Sequence, residues 1–467
     1  MKRKILLISL IFFQSLAFSQ EDAWVFFTDK ENVEEAINNP ISILSQKAID
    51  RKTLHNVPID ERDVPITANY ITQIQSAQGI TVHAKSKWMN ALHIRGSESD
   101  INDLLSLNFV NYIEFANKNL NENRGELRPV NKTLTDESRV NFTYGMTENQ
   151  VQMLNLHLLH QSDYTGSGLT IAVMDSGFPG VNTIDGFQRL RDNGGLLDGY
   201  DFVDDTDDEF AFQGNNHGTK VLSTMAGYIE NEFVGTAPDA QYYLFRTEDT
   251  GSENPIEESN WVEAAERADS LGVDIINTSL GYKGYDNPNY SHASEDLNGQ
   301  IAFITRGANI ASEKGMLIIT SAGNSGANGV GAPADSPLSL SIGSVDSDGG
   351  YSSFSSQGSA IQPTLKPDVS AQGRQSSVIS SSGSIVQNNG TSFSSPIMAG
   401  AAACLWQAFP EMTNTQIMAF IRESGSQFDT PDFFLGYGIP DFELALQNGL
   451  DVQSSQRTEF KVFPNPV

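Results

Sequence analysis

The sequence predicts an α/β fold, a parallel β-sheet flanked by helices on both faces, preceded by a small α+β domain of the ferredoxin-like kind. Three observations predict it. From about residue 146 to 450, short and strongly apolar strand segments alternate with helical ones, which requires crossover connections and a sheet covered on both sides. Residues 20–118 carry a separate order, β-α-β-β-α-β. Between the two, residues 119–145 are polar and lack sustained periodicity, as expected of a linker and processing region.

The elements follow in chain order. Residues 1–19 open with Lys2, Arg3 and Lys4, continue through an apolar run, and end with Ala17 and Ser19 at the −3 and −1 positions of a signal-peptide cleavage before Gln20. The run is short for a bilayer span, and no later stretch is long and apolar enough to cross a membrane. In the N-terminal domain, residues 24–28 (WVFFT) read as a strand. Residues 67–77 read as a helix carrying Tyr70, Ile71 and Ile74, stopped by Gly79. Residues 80–84 and 88–94 read as two strands. Residues 97–107 form a helix with a Ser97/Asp100 capping signature, and 109–115 close as a strand. The stretch 30–65 adds a helix or loop to this plan. In the larger domain, 169–174, 241–245, 274–278 and 316–320 are strand candidates, and 261–271 and 394–408 helical ones. Residues 451–467 make a further linker and tail.

Bulk properties narrow the function classes. At 467 residues the chain suggests two or three domains. With 29 basic and 58 acidic residues it carries a net charge of −29. A nucleic acid partner is therefore excluded, and a soluble, monomeric protein is expected. Its single cysteine, Cys404, cannot form an internal disulfide and lies in an apolar run that suits packing.

Three segments can carry chemistry. In residues 170–177 (TIAVMDSG), a buried strand ends in Asp175 and turns at once. In residues 216–227, His217 precedes an apolar helical run. In residues 390–400 (GTSFSSPIMAG), Ser392 stands at the entrance of a helix with Pro396 in its first turn. Taken singly, an Asp before Ser-Gly makes a turn, a loop His is structural or exposed, and a Ser at a helix start is a cap.

Together they resemble the three motif blocks of the subtilisin-like (S8) serine protease family, in its chain order Asp, His, Ser. Further blocks resemble the same family: 234–240 (VGTAPDA), 276–281 (INTSLG), 321–326 (SAGNSG), 366–369 (KPDV) and 436–441 (GYGIPD). The resemblance implies a secreted endopeptidase acting on protein and peptide substrates and needing no cofactor. It implies a catalytic triad of Asp175, His217 and Ser392, the Asn324 amide in the oxyanion hole, and a substrate-binding edge at Ser279, Leu280 and Gly281. It also identifies the N-terminal unit as an intramolecular inhibitor, a propeptide cut away in the 115–145 region. Lys220 after Thr219, Phe393 and Ser394 after Ser392, and Ile397 after Pro396 depart from the family's usual residues, which bears on pocket detail. Residues 460–467 (FKVFPNPV) resemble the opening of a type IX secretion sorting domain.

Two lesser features remain. Asp201, Asp204, Asp205, Asp207, Asp208 and Glu209 crowd one loop. A structural Ca²⁺ site at Asp204, Asp205 and Asp207 and a plain solvated acidic loop both fit, although the spacing is no EF-hand. His157 and His160 match no zinc signature. No Gly-x-Ser-x-Gly elbow surrounds Ser392, which weighs against an esterase. A catalytically silent binding module on the same fold would need neither the three residues nor Asn324.

Overall fold

The computed structural model describes residues 20–121 and 142–457. The leader at 1–19, most of the connecting stretch at 119–145 and the sorting-type segment at 460–467 lie outside the described residues.

Four strands form the N-terminal sheet: β1 (Gln20–Phe27), β2 (Thr81–Ser86), β3 (Ala91–Ser97) and β4 (Val110–Phe115). They pair antiparallel in the order β2-β3-β1-β4. The period-2 pleat of β1 sorts its side chains. Ala23, Val25 and Phe27 pack with Ile74 and Ile101 of the domain's own helices, Ala68–Gln75 and Glu98–Asp103. Trp24 and Phe26 face the other way, into a cluster with Trp261, Val262 and Phe303 of the larger domain. The Ser97 cap holds, its Oγ accepting from Asp100 N at 3.1 Å. Trp88 is a correction: it stands in the turn between β2 and β3 rather than in a strand. The chain bends there around Glu266, whose carboxylate accepts from Lys87 N at 2.8 Å and Trp88 N at 3.0 Å. The stretch 30–65 contains two helices, Val33–Asn38 and Gln46–Leu54.

The larger domain is built on β5 (Thr170–Asp175), β6 (Leu196–Asp201), β9 (Gln241–Arg246), β10 (Ile275–Thr278), β11 (Leu317–Ser321), β12 (Ser339–Val345) and β13 (Val369–Gln372). Two short hairpins, β7 (Tyr228–Ile229) with β8 (Phe233–Val234) and β14 (Ser376–Ile379) with β15 (Ile385–Asn388), stand apart from it. The seven strands run parallel in the order β13-β12-β11-β10-β5-β9-β6. Ile171 and Val173 of β5 pack toward the helices His217–Ala226 and Thr391–Ala408. Ala172 and Met174 pack toward Ile256–Leu271 and Phe303–Glu313. Burial on both faces is what makes β5, β9, β10 and β11 continuous apolar runs. The chain leaves β5 toward β6 on one side and returns to β10 on the other, so the strand order reverses between β5 and β10. At such a switch point the loops diverge and leave a crevice at the carboxyl ends of the strands. Among the described residues, no helix is long and apolar enough to cross a membrane.

Candidate active site

Asp175 is the last residue of β5 and is fully buried. Its Oδ1 accepts from Ser176 N at 2.8 Å and from His217 Nδ1 at 2.8 Å, and its Oδ2 lies 3.1 Å from the same ring nitrogen. His217 opens its helix, with its backbone N–H donating to Asn215 Oδ1 at 2.8 Å. Burial by itself lowers the imidazole pKa, but the charge and hydrogen bond of Asp175 outweigh it. The net position is above the usual histidine value, with Lys220 opposing and Glu248 reinforcing the rise.

Ser392 lies in the first turn of the helix Thr391–Ala408. Gly390 enters that helix at φ +149°, a region side-chain-bearing residues rarely adopt, and so aims the helix start at the crevice. The helix begins three residues before its expected start. Pro396 therefore sits in the second turn, not the first, and lacks the N–H that would bond the Ser392 carbonyl. Ser279 Oγ takes that place, donating to Ser392 O at 2.8 Å, while Ser392 Oγ donates to Ser279 O at 3.2 Å. Among the described residues, no hydrogen bond joins Ser392 Oγ to His217. The two are linked through Phe393, whose ring centroid is 5.8 Å from that of His217.

Asn324 is exposed on the loop after β11. Its Oδ1 accepts from Thr391 N at 2.9 Å and Thr391 Oγ1 at 3.1 Å, which fixes the amide plane against the start of the Ser392 helix. Its Nδ2 bonds to no acceptor among the described residues and is free to donate to a ligand. Ser279, Leu280 and Gly281 continue β10 beyond its last ladder bond. Gly281 is exposed, and neither its N–H nor its carbonyl has a partner among the described residues.

The structure thus brings Asp175, His217, Ser392, Asn324 and the 279–281 edge to one end of the sheet. It does not bring Asp204, Asp205 and Asp207 together. Asp204 pairs with Arg246 at 2.5 Å, Asp205 accepts from Tyr200 at 2.6 Å, and Asp207 points outward 3.9 Å from Arg267. Each carboxylate already has its own protein partner, which favours the acidic-loop reading over the cation site, the two readings that the sequence left open. Among the described residues, the carboxylates that do converge, within 4.8 Å, are Glu248, Glu253 and Glu257. Burial first, then mutual repulsion, pushes Glu257 up to about 9 and Glu248 up to about 7. Their crowding is relieved by protonation. Cys404 is buried, donates to Thr236 O at 3.1 Å, and burial raises its thiol pKa, in keeping with packing.

Sequence reasoning missed Thr391 as the anchor of Asn324 and Glu248 as a charge acting on His217. Thr391 stood inside the Ser392 motif and was legible there. Glu248 had no signal beyond following a strand end.

Fold and site together define a serine endopeptidase on a parallel α/β sheet. Residues 166–438 match the Subtilase family (peptidase S8), and residues 22–132 match the peptidase S8 propeptide domain of Bacteroidota. The chain belongs to the subtilase family and is a subtilisin-like serine endopeptidase with a propeptide domain. It is 30% identical over 305 residues to subtilisin E of Bacillus subtilis (strain 168), covering 64% of this chain and 70% of that protein. It is also 30% identical to the subtilisin of Bacillus pumilus, covering 64% of this chain and 98% of that protein. The structure of MycP1 from Mycobacterium smegmatis is similar in fold, with a TM-score of 0.53 at 23% identity, covering 73% of this chain and 91% of that one.

Proposed function

We propose that Asp175, His217 and Ser392 carry the hydrolysis, with Ser392 Oγ as nucleophile. The observation that supports this most directly is the buried Asp175 carboxylate on His217 Nδ1. It holds the tautomer in which Nε2 is the free base and stabilises the imidazolium once formed. To react, Ser392 Oγ leaves the Ser279 carbonyl and gives its proton to that base. Attack on the substrate carbonyl then gives an acyl-enzyme, with His217 returning the proton to the leaving amine. The oxyanion meets Asn324 Nδ2 and Ser392 N–H, at a helix N-terminus whose dipole favours negative charge. The open edge at Gly281 pairs with extended peptide backbone, which gives affinity with little sequence selectivity.

In this reading residues 20–118 are an intramolecular inhibitor, severed within 119–145, and the catalytic domain of 146–450 acts as a monomer without a cofactor. Residues 1–19 direct export, and the 460–467 segment belongs to type IX sorting. The test is labelling of the processed protein by a serine-directed fluorophosphonate, together with turnover of casein against simple esters. Labelling that disappears in Ser392→Ala, with casein preferred, is expected. Labelling that persists in Ser392→Ala would remove Ser392 from its role.

A further inference from the structure

The 30–65 stretch of the N-terminal domain does not stay with its own sheet. It runs beneath the larger domain, against the amino ends of β5, β10 and β11, the end opposite Asp175 and Ser392. Ser45 N donates to Ser270 O at 2.9 Å, and Lys47 pairs with Asp274 just before β10. Gly272 makes the approach feasible: a Cβ there would lie 2.7 Å from Ala48 N, and its φ of +82° suits glycine. His55 stacks on Trp406, at 5.7 Å between centroids, and its Nε2 lies 3.1 Å from Pro410 O.

Within this contact lies a chain of buried charges to which both parts contribute. Arg51 and Lys52 hold Asp269. Lys52 also reaches Asp63 at 3.2 Å, and Lys314 holds Asp63 at 2.7 Å and Asp60 at 2.9 Å. Lys52, Asp63, Asp269 and Lys314 have side chains at most 1% exposed. Separating the parts leaves Asp269 and Lys314 on one side and Lys52 and Asp63 on the other, each without its cross-partner. A buried network of this kind confers selectivity for one partner more than net stability.

We infer that the amino-end face of the catalytic sheet is a second docking site, independent of the cleft. It reads residues 43–64 of the protein's own N-terminal fragment and retains that fragment after the chain is cut. This rests on the reading of residues 20–118 as a severed inhibitor. The occupant is charge-matched, since Lys47, Arg51, Lys52 and Arg62 meet Asp274, Asp269 and Glu313.

The test uses the full chain carrying Ser392→Ala and a recognition sequence for an added protease, placed between residues 121 and 142 and cut there. The two fragments are expected to co-elute on size exclusion, with the amides of 43–64 protected from hydrogen exchange alongside those of β1–β4. Asp269→Asn and Asp63→Asn are each expected to speed fragment dissociation about thirtyfold or more. Because an unpaired buried charge can prevent folding, the swapped pair Asp63→Lys with Lys314→Asp is a second arm, expected to dock more tightly than either of its single changes. Exchange of 43–64 at the rate of unstructured chain while β1–β4 stay protected would overturn the inference. So would dissociation of both Asn variants within about twofold of the parent, well below the effect of a lost buried pair. Inhibition is measured separately, as casein turnover by the cut complex with Ser392 intact. Full turnover there sinks the inhibitor reading and leaves docking untouched.

Discussion

Ser279 and Ser392 exchange hydrogen bonds across the end of the sheet: Ser279 Oγ donates to the Ser392 carbonyl at 2.8 Å, and Ser392 Oγ donates to the Ser279 carbonyl at 3.2 Å. The exchange exists because Pro396 cannot bond the Ser392 carbonyl from within the helix. It ties the edge proposed to bind substrate to the helix proposed to carry the nucleophile. Ser395 Oγ adds a third stitch, donating to Asn277 Oδ1 at 3.0 Å.

Ser279→Ala removes the donor and leaves the buried Ser392 carbonyl unpaired. The expected loss is about 1–3 kcal/mol of stability, the usual penalty for such an orphaned group. Urea unfolding of the processed protein measures it. An unchanged midpoint would mean that water or the backbone replaces the hydroxyl without loss.

Asn324→Ala should lower kcat with little change in KM, because its Nδ2 has no ground-state partner among the described residues and is proposed to meet only the oxyanion. About 10²–10³-fold is the loss known for the equivalent asparagine of a subtilisin, and it sets the scale here. Steady-state kinetics on a chromogenic peptide separates the two constants. A rise in KM with kcat intact would instead make Asn324 a substrate-binding residue.

The 366–369 block, which resembles the family but lies away from the crevice, is structural. Lys366 Nζ holds Asp368 at 2.8 Å and the Ser339 carbonyl at 2.7 Å, and Arg422 holds the other carboxylate oxygen of Asp368. Both Lys366 and Asp368 are buried. Asp368→Ala strands a buried ammonium and should destabilise by about 3–5 kcal/mol, read as a lowered thermal midpoint. The active-site geometry should persist, so fluorophosphonate labelling at low temperature stays near that of the parent.

Much of this architecture was legible because burial on both faces leaves an apolar run, as in β5, β9, β10 and β11. The strands β6, β12 and β13 were not. Residues 339–345 (SLSIGSV) alternate serine with apolar residues; Ser344 Oγ donates to Ser352 Oγ at 3.0 Å, while the buried hydroxyls of Ser339 and Ser341 have no partner among the described residues. A parallel strand can bury hydroxyls when neighbours take their bonds, and composition does not reveal those neighbours. The start of the Ser392 helix was placed late for a similar reason. Thr391, Ser392 and Ser394 are weak helix formers, and Pro396 usually marks a first turn. The 30–65 stretch was foreseen only as a helix or loop, since its role lies in charges that meet partners more than 200 residues away.

The pH dependence of the reaction gives a prediction with two opposite signs. His217 must be neutral to accept the Ser392 proton, so activity rises with pH through the His217 pKa. Burial lowers that pKa, but Asp175 raises it more, so the acid limb of kcat/KM should centre above the ordinary histidine value of 6.5. The stability contribution runs the other way: the charged ring is favoured in the fold, fully so below the unfolded value, and that contribution is lost as pH rises through the folded pKa. Glu248 contributes negative charge near the ring, and burial pushes its own carboxyl up to about 7. Glu248→Gln should move the limb to lower pH, and Lys220→Ala, which removes a positive charge, should move it higher, each by roughly a few tenths of a unit. Profiles taken at low ionic strength on an uncharged peptide resolve such shifts, and salt should shrink both. Movement of both variants in the same direction would show that the limb reports some group other than His217.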